Sequence, residues 1–147
     1  MDLLKKLDWR YIPSDDKDKK YKSYVTSVKN QGGCGSCWAF AMTGALESYV
    51  MINKGMPDID LDLSKQMMLS CSEAGSCSGG FIDLSFIKKL GLTFESIFPY
   101  VSRDIGCYLG VNLNRLTSYK IDNFGSVPQD IKKLKAAILN IGHSQKQ

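Results

Sequence analysis

Apolar and polar positions divide the chain into stretches of different period. From Ser36 onward, Trp38, Ala41, Met42, Ala45, Leu46, Tyr49, Val50 and Ile52 recur at three- and four-residue steps, the spacing of one helix face. The pattern predicts a helix with Ser36 as its N-cap, ended by Gly55-Met56-Pro57. This is the longest and most apolar element, so it is expected to be the central core helix, its Met and aromatic residues serving packing rather than a cofactor. A short helix is predicted from Ser64 to about Leu69. Another runs from Ile82 to Leu90, with Ile82, Phe86, Ile87 and Leu90 on one side and Gly91 as its stop. Rough alternation through Leu116, Ser118, Tyr119, Ile121 and Phe124 predicts a strand. After it, Ser126-Val127-Pro128 should cap a helix carrying Ile131, Leu134, Ile138 and Ile141 at helical spacing.

The connecting segments are simpler. Residues 1–24 are polar and broken by Pro13, with a mixed-charge cluster at 14–20 that reads as a solvated loop. Val25-Thr26-Ser27-Val28 is a short β-branched stretch that stops at Asn30-Gln31-Gly32-Gly33, a turn by composition. Helices therefore dominate the first 110 residues, and a strand begins as the sequence runs out. That pattern suits one layer of a protein whose partner layer has barely begun.

Composition narrows the class. With 147 residues, 44% of them hydrophobic, a chain buries roughly 70% of its unfolded surface and supports one core. No apolar run approaches the ~20 residues of a membrane helix, so no membrane partner is expected. The opening Met1-Asp2-Leu3-Leu4-Lys5-Lys6-Leu7 lacks the apolar stretch of a secretory signal. A net charge of +4, dispersed along the chain, does not point to nucleic acid. Five cysteines, at 34, 37, 71, 77 and 107, suggest two bridges and one thiol with its own role, hence an oxidising compartment. The missing signal pattern conflicts with that compartment.

The chemistry concentrates in Gln31-Gly32-Gly33-Cys34-Gly35-Ser36-Cys37-Trp38-Ala39-Phe40. Cys37 sits at the first turn of the core helix, where unpaired N–H groups and the helix dipole favour an anion, and the thiolate is the reactive form of cysteine. Gln31 lies six residues upstream across a glycine-rich turn, so its amide can return to the same spot. Together with the Cys37 backbone N–H it would form an oxyanion hole. Three other readings are open. Cys34 and Cys37 have the spacing of a redox dithiol, although no βαβ pattern precedes them. Cys34, Cys37, Cys71 and Cys77 could hold zinc, although the second pair is spaced too widely. A structural disulfide with a buried spare thiol explains the cysteine count but not the surrounding turn.

At these residues the chain resembles the papain-like, cathepsin-type cysteine peptidases. Cys34-Gly35-Ser36-Cys37-Trp38 matches their C-G-[SA]-C-[WY] pattern. Asp8-Trp9-Arg10 resembles the family's mature N-terminal segment, and residues 25–32 resemble its approach to the nucleophile. Leu63-Ser64-Lys65-Gln66, Cys77-Ser78-Gly79-Gly80-Phe81 and Phe98-Pro99-Tyr100 resemble further family motifs, all in family order. The resemblance implies an α+β papain-like fold. Its parts would be an N-terminal segment (1–24) with a charged loop insertion, a helical left domain (25–114), and the beginning of a right β-barrel domain (115–147). It implies Cys37 as nucleophile and Gln31 as oxyanion-hole side chain, with disulfides Cys34–Cys77 and Cys71–Cys107. Gly79, Gly80, Phe81 and Trp38 would bind substrate, Phe81 lining an apolar pocket for the residue second before the cut. No cofactor and no metal are implied. Partners would be an extended peptide or protein substrate and a propeptide or inhibitor, in an extracellular or lysosome- or vacuole-like compartment.

One part of the pattern breaks. Such a thiol shares its proton with a His oriented by an Asn, about 130–150 residues beyond the Cys. The one histidine, His143, falls short of that distance and sits in a polar C-terminal stretch. The chain is accordingly expected to be a truncated N-terminal half of such a peptidase, hydrolytically weak or inactive as it stands because no matching His and Asn are present. The alternatives are a non-catalytic peptide-binding pseudo-protease and the Cys34/Cys37 redox protein.

Overall fold

The computed structural model describes residues 6–107 and 118–140. Its main element is helix α1 (Cys37–Lys54), ended by Gly55 at φ +60°, a left-handed turn that glycine adopts without strain. The Gly55 and Met56 N–H groups reach back to the carbonyls of Ile52 and Met51. The buried face of α1 is rotated from the purely apolar stripe. Ala41 and Ala45 are exposed, whereas Thr43 and Glu47 are buried beside Met42, Leu46, Val50 and Met51. Both polar groups have partners that permit this: Thr43 Oγ1 donates to the Ala39 carbonyl (2.7 Å), and Glu47 pairs with Lys65 (3.7 Å).

Helix α2 (Lys65–Cys71) packs against α1 and supplies Met67 and Met68 to the core. Ser64 caps it, its hydroxyl accepting from the Met67 N–H (2.9 Å). Leu63, Ile87 and Leu92 complete the same fully buried cluster. Two disulfides, Cys34–Cys77 and Cys71–Cys107, tie the surrounding loops to this core.

Three elements differ from the sequence expectation. Helix α3 is a single turn, Ser85–Lys89, because Asp83 accepts the Ser85 N–H and leaves Ile82 outside the helix and exposed. The alternating stretch forms one antiparallel bridge, Leu92 with Tyr119, each N–H donating to the other's carbonyl at 3.0 Å, and 120–124 continues without a ladder. Leu116 lies outside the described residues. The last helix, α4 (Ile131–Asn140), is capped by Asp130, whose side chain accepts the Lys133 N–H (2.9 Å), and not by Ser126-Val127-Pro128. Ile141 is again outside the described residues. Ser36 also departs from its expected role: it precedes α1 without a side-chain capping bond, since its hydroxyl is turned towards Tyr100.

Two small antiparallel hairpins complete the architecture. Strands β1 (Ile12–Pro13) and β2 (Tyr21–Lys22) pair at the base of the 14–20 charge cluster, which forms the exposed tip. Strands β3 (Gly75–Ser76) and β4 (Gly79–Gly80) pair Gly75 with Gly80 and Ser76 with Gly79. The second hairpin borders the start of α1.

Candidate active site

Cys37 is the first residue of α1, exposed, and the one free cysteine among the described residues. The loop before it is held at each end. On the upstream side, Asn30 Oδ1 accepts the Gly32 N–H (2.8 Å), and Gly32 takes φ +65°, bending the chain sharply at Gln31. The Gln31 side chain then folds back over the turn, Nε2 donating to the Cys34 carbonyl (2.9 Å). One of its two amide hydrogens is used there, and the other remains for a ligand.

On the downstream side the loop is fastened to the β3–β4 hairpin. Cys34 is bonded to Cys77, and the Gly35 N–H donates to the Cys77 carbonyl (2.8 Å). A Cβ on Gly35 would stand 2.5 Å from that carbonyl oxygen, so only glycine permits this approach. The Cys77 N–H is in turn held by Asp104 Oδ1 (2.9 Å). Gly79 and Gly80 lie along the exposed side of this hairpin, and Phe81 follows with 81% of its surface in solvent. Trp38 is 4% exposed and lies beneath the hairpin, its indole N–H donating to the Ser76 carbonyl (3.1 Å). It therefore reaches this surface from below, as a support.

Thus the Gln31 turn, the Cys37 helix start and the Gly79-Gly80 strand converge around the Cys34–Cys77 bond. Cys34 is bonded to Cys77 and not to Cys37, so Cys34 and Cys37 are not joined to each other as a disulfide. Three of the four candidate zinc thiols are bonded in disulfides, and the described residues contain no metal-holding cluster of His, Cys, Asp and Glu. His143 lies outside the described residues. No described helix is long and apolar enough to cross a membrane.

Sequence position does not mark several contributors as site residues, although Tyr100 and Lys65 fall within the Phe98-Pro99-Tyr100 and Leu63-Ser64-Lys65-Gln66 motifs. Tyr100 and Ser102 both hold the Gln31 carbonyl, with the Tyr100 hydroxyl at 2.6 Å and Ser102 Oγ at 2.9 Å. Deeper in α1, Glu47 is 1% exposed, and burial pushes its carboxyl up to about 7 despite the attraction of Lys65. Lys65 is shared with Asp62, which also faces Lys29 (3.8 Å).

A family model described as papain family cysteine protease matches residues 5–145. The chain belongs to the papain family. Among curated relatives it is 34% identical to cathepsin K of Mus musculus over 146 residues, covering 96% of this chain and 43% of the relative. It is 35% identical to procathepsin L of Mus musculus over 149 residues, covering 95% of this chain and 39% of the relative. The chain thus spans about two fifths of the length of these relatives. Among solved structures, bromelain from Ananas comosus in complex with the E64 inhibitor superposes with a TM-score of 0.69 at 33% identity. That match covers 79% of this chain and 53% of bromelain. The papain-like α+β fold and the cysteine-protease family relationship follow from these matches.

Proposed function

We propose that this chain supplies the nucleophile-bearing half of a cysteine peptidase cleft, with Cys37 as nucleophile. The carrying observation is the convergence of an exposed free thiol, a Gln amide with one unused hydrogen, and a glycine strand edge around one disulfide. The Cys37 thiolate attacks the scissile carbonyl carbon, and the π pair moves onto the oxygen. That oxyanion accepts from Gln31 Nε2 and from the Cys37 N–H. Collapse returns the pair to the carbonyl and breaks the C–N bond, the nitrogen leaving as an amine with the proton that the thiol had given up to a base, and a thioester remains on Cys37. Water then hydrolyses the thioester and restores the thiol.

The Gly79-Gly80 edge is suited to backbone pairing with an extended peptide, since no Cβ obstructs close approach. Phe81 offers an apolar surface to the residue second before the cut. Trp38 acts on this subsite through the hairpin it supports. A propeptide or inhibitor would use the same edge, and the E64 complex of bromelain supports inhibitor binding at such a cleft.

The described residues contain no histidine, so none of them supplies an imidazole to hold the thiol proton or protonate the leaving amine. We place the base outside residues 6–140 and propose that this chain by itself turns over peptides weakly, loss of a triad partner costing several orders of magnitude in rate. Residues 1–24 would form the N-terminal segment, 25–114 the helical domain, and 115–147 the start of a barrel. Assignment of the later residues to a further unit has support in α4, which buries no residue and exposes Ile131 at 71%, whereas Tyr119 remains bridged to Leu92 of the helical part.

Labelling with an E64-type epoxide and mapping the adduct by mass spectrometry tests the reading. The epoxide should modify Cys37, and prior binding of a peptide with an apolar residue second before the cut should slow it. A folded protein that takes up no epoxide at any pH would overturn the nucleophile assignment. Peptide protection without any turnover favours the non-catalytic peptide-binding reading. Exchange of Cys34 between Cys77 and Cys37 would favour the redox reading, which the Cys34–Cys77 bond opposes.

A further inference from the structure

We infer that Tyr100 and Ser102 are positioning residues for the oxyanion site, gripping the Gln31 carbonyl so that the Gln31 amide and the Cys37 turn stay in register. The inference rests on the reading of Cys37 and Gln31 given above. Tyr100 donates its hydroxyl hydrogen to the Gln31 carbonyl (2.6 Å), so at its second contact it must accept, taking the Ser36 Oγ hydrogen (2.6 Å). One phenol oxygen therefore links the residue expected to stabilise the oxyanion to the residue immediately before the nucleophile. Its ring is fixed edge-to-face against Phe40 of α1, with centroids 4.9 Å apart. Its own N–H is fixed by Glu95 Oε1 (2.7 Å).

Ser102 makes the second contact to the same carbonyl, and it does so at φ +56°, a conformation that non-glycine residues rarely adopt. Such a residue persists where its surroundings over-determine it. Here the restraint is Gln66, fully buried on α2, which bonds both neighbours of Ser102. Its Oε1 accepts the Val101 N–H (3.0 Å) and its Nε2 donates to the Arg103 carbonyl (3.2 Å). Gly32 completes the fit, because a Cβ there would overlap Ser102 Oγ. Two donors on one carbonyl, both anchored from the α1–α2 core, define the orientation of the Gln31 peptide more tightly than local turn geometry would.

The test uses a peptide aldehyde with a 13C-labelled carbonyl, ending in glycinal after an apolar residue. The Cys37 sulfur adds to the aldehyde carbon, the π pair goes to oxygen, and the thiol proton ends on that oxygen. The resulting thiohemiacetal is read by 13C NMR as a tetrahedral carbon, and its formation needs no histidine. Alkylation of Cys37 by iodoacetamide, which develops no oxyanion, is the control for thiol access. Tyr100→Phe and Ser102→Ala should each weaken the thiohemiacetal equilibrium by about tenfold, the order expected when one hydrogen bond is lost. The iodoacetamide rate should stay within about twofold, and Gln31→Ala should match or exceed the aldehyde loss. If Gln31→Ala weakens the adduct while Tyr100→Phe and Ser102→Ala leave it unchanged, the positioning inference is overturned and the reading of Gln31 stands. If Gln31→Ala has no effect, or the unmodified chain forms no adduct, the oxyanion reading itself is overturned and the inference with it. Should Tyr100→Phe fail to fold, Ser102→Ala alone decides, since it removes only one hydroxyl from a half-buried loop position.

Discussion

The indole ring of Trp38 lies so close to Gly80 that a Cβ at that glycine would stand 2.5 Å from indole Cε2. Gly80 is thus fixed from below by packing, while its other side faces solvent. Gly80→Ala should push the indole away, weaken its bond to the Ser76 carbonyl, and cost about 1–3 kcal/mol as an overpacking change. Denaturant unfolding monitored by Trp fluorescence checks this. The neighbouring Gly79→Ala should also destabilise, for a different reason: its Cβ meets open space, but its backbone sits at φ +124°. Trp38 fluorescence should therefore change in the Gly80 variant and remain native-like in the Gly79 variant.

Glu47 gives the fold a pH dependence with a definite sign. Its carboxyl titrates near 4.5 when unfolded and is pushed up to about 7 in the folded chain, chiefly by burial. Between those values the folded state binds the extra proton, so stability falls as pH rises through the window and levels off above about 7. The difference corresponds to about 3 kcal/mol. At the acid end Asp58 and Asp60 act oppositely. Hydrogen bonds from Ser23 and Ser27 lower their carboxyls, and that stabilisation is lost as pH falls below their ordinary range. Unfolding free energies measured from pH 4 to pH 8 should therefore decline towards neutrality, and Glu47→Gln should remove most of the decline.

Much of the geometry of the candidate site was legible in the sequence because its residues are close in the chain. Gln31, Cys34, Gly35 and Cys37 occupy one turn, and the helix beginning there follows from the spacing of Trp38, Met42, Leu46 and Val50. What could not be read was decided by partners distant in sequence. Ser36 is an ordinary N-cap residue by type, yet its hydroxyl bonds Tyr100, 64 residues away. Glu47 is a charged residue by type, yet it is buried in α1, where Lys65 on α2 faces it at 3.7 Å. Residues 118–124 alternate as a strand does, but alternation describes faces and not partners. Leu92 is the single residue bridged to Tyr119 there, so one bridge forms in place of a ladder. Ile131, Leu134 and Ile138 are likewise spaced correctly for a buried face, yet none is buried among the described residues.

Ser64 joins two parts of the fold through one hydroxyl. It accepts the Met67 N–H at the start of α2 and donates to the Phe98 carbonyl at 2.7 Å, both bonds being buried. Ser64→Ala removes a helix cap, worth about 1 kcal/mol, and leaves a buried carbonyl unsatisfied at a further cost of about 1–3 kcal/mol. Thermal unfolding should show the loss. Because Phe98 begins the segment that leads to Tyr100, hydrogen exchange should also accelerate in residues 98–104, whereas loss of the cap alone would leave them unchanged.

The Cys71–Cys107 bond closes a loop with a sequence separation of 36, joining the end of α2 to the chain beyond Asp104. By the chain-entropy argument its removal should cost about 4 kcal/mol, as an upper figure when the native geometry survives. Replacing both cysteines by Ser tests the bond without exposing new thiols. The doubly substituted chain should unfold at lower denaturant while the accessible thiol count in the native state stays at one, Cys37. The same substitution at Cys34 and Cys77 should do more than destabilise, since that bond joins the Gln31 turn to the Gly79-Gly80 strand. Its distinguishing outcome is a loss of peptide-aldehyde binding larger than that of the Cys71/Cys107 variant when both are measured below their unfolding transitions. Equal losses would mean that the Cys34–Cys77 bond contributes to overall stability alone and not to the local arrangement of the cleft.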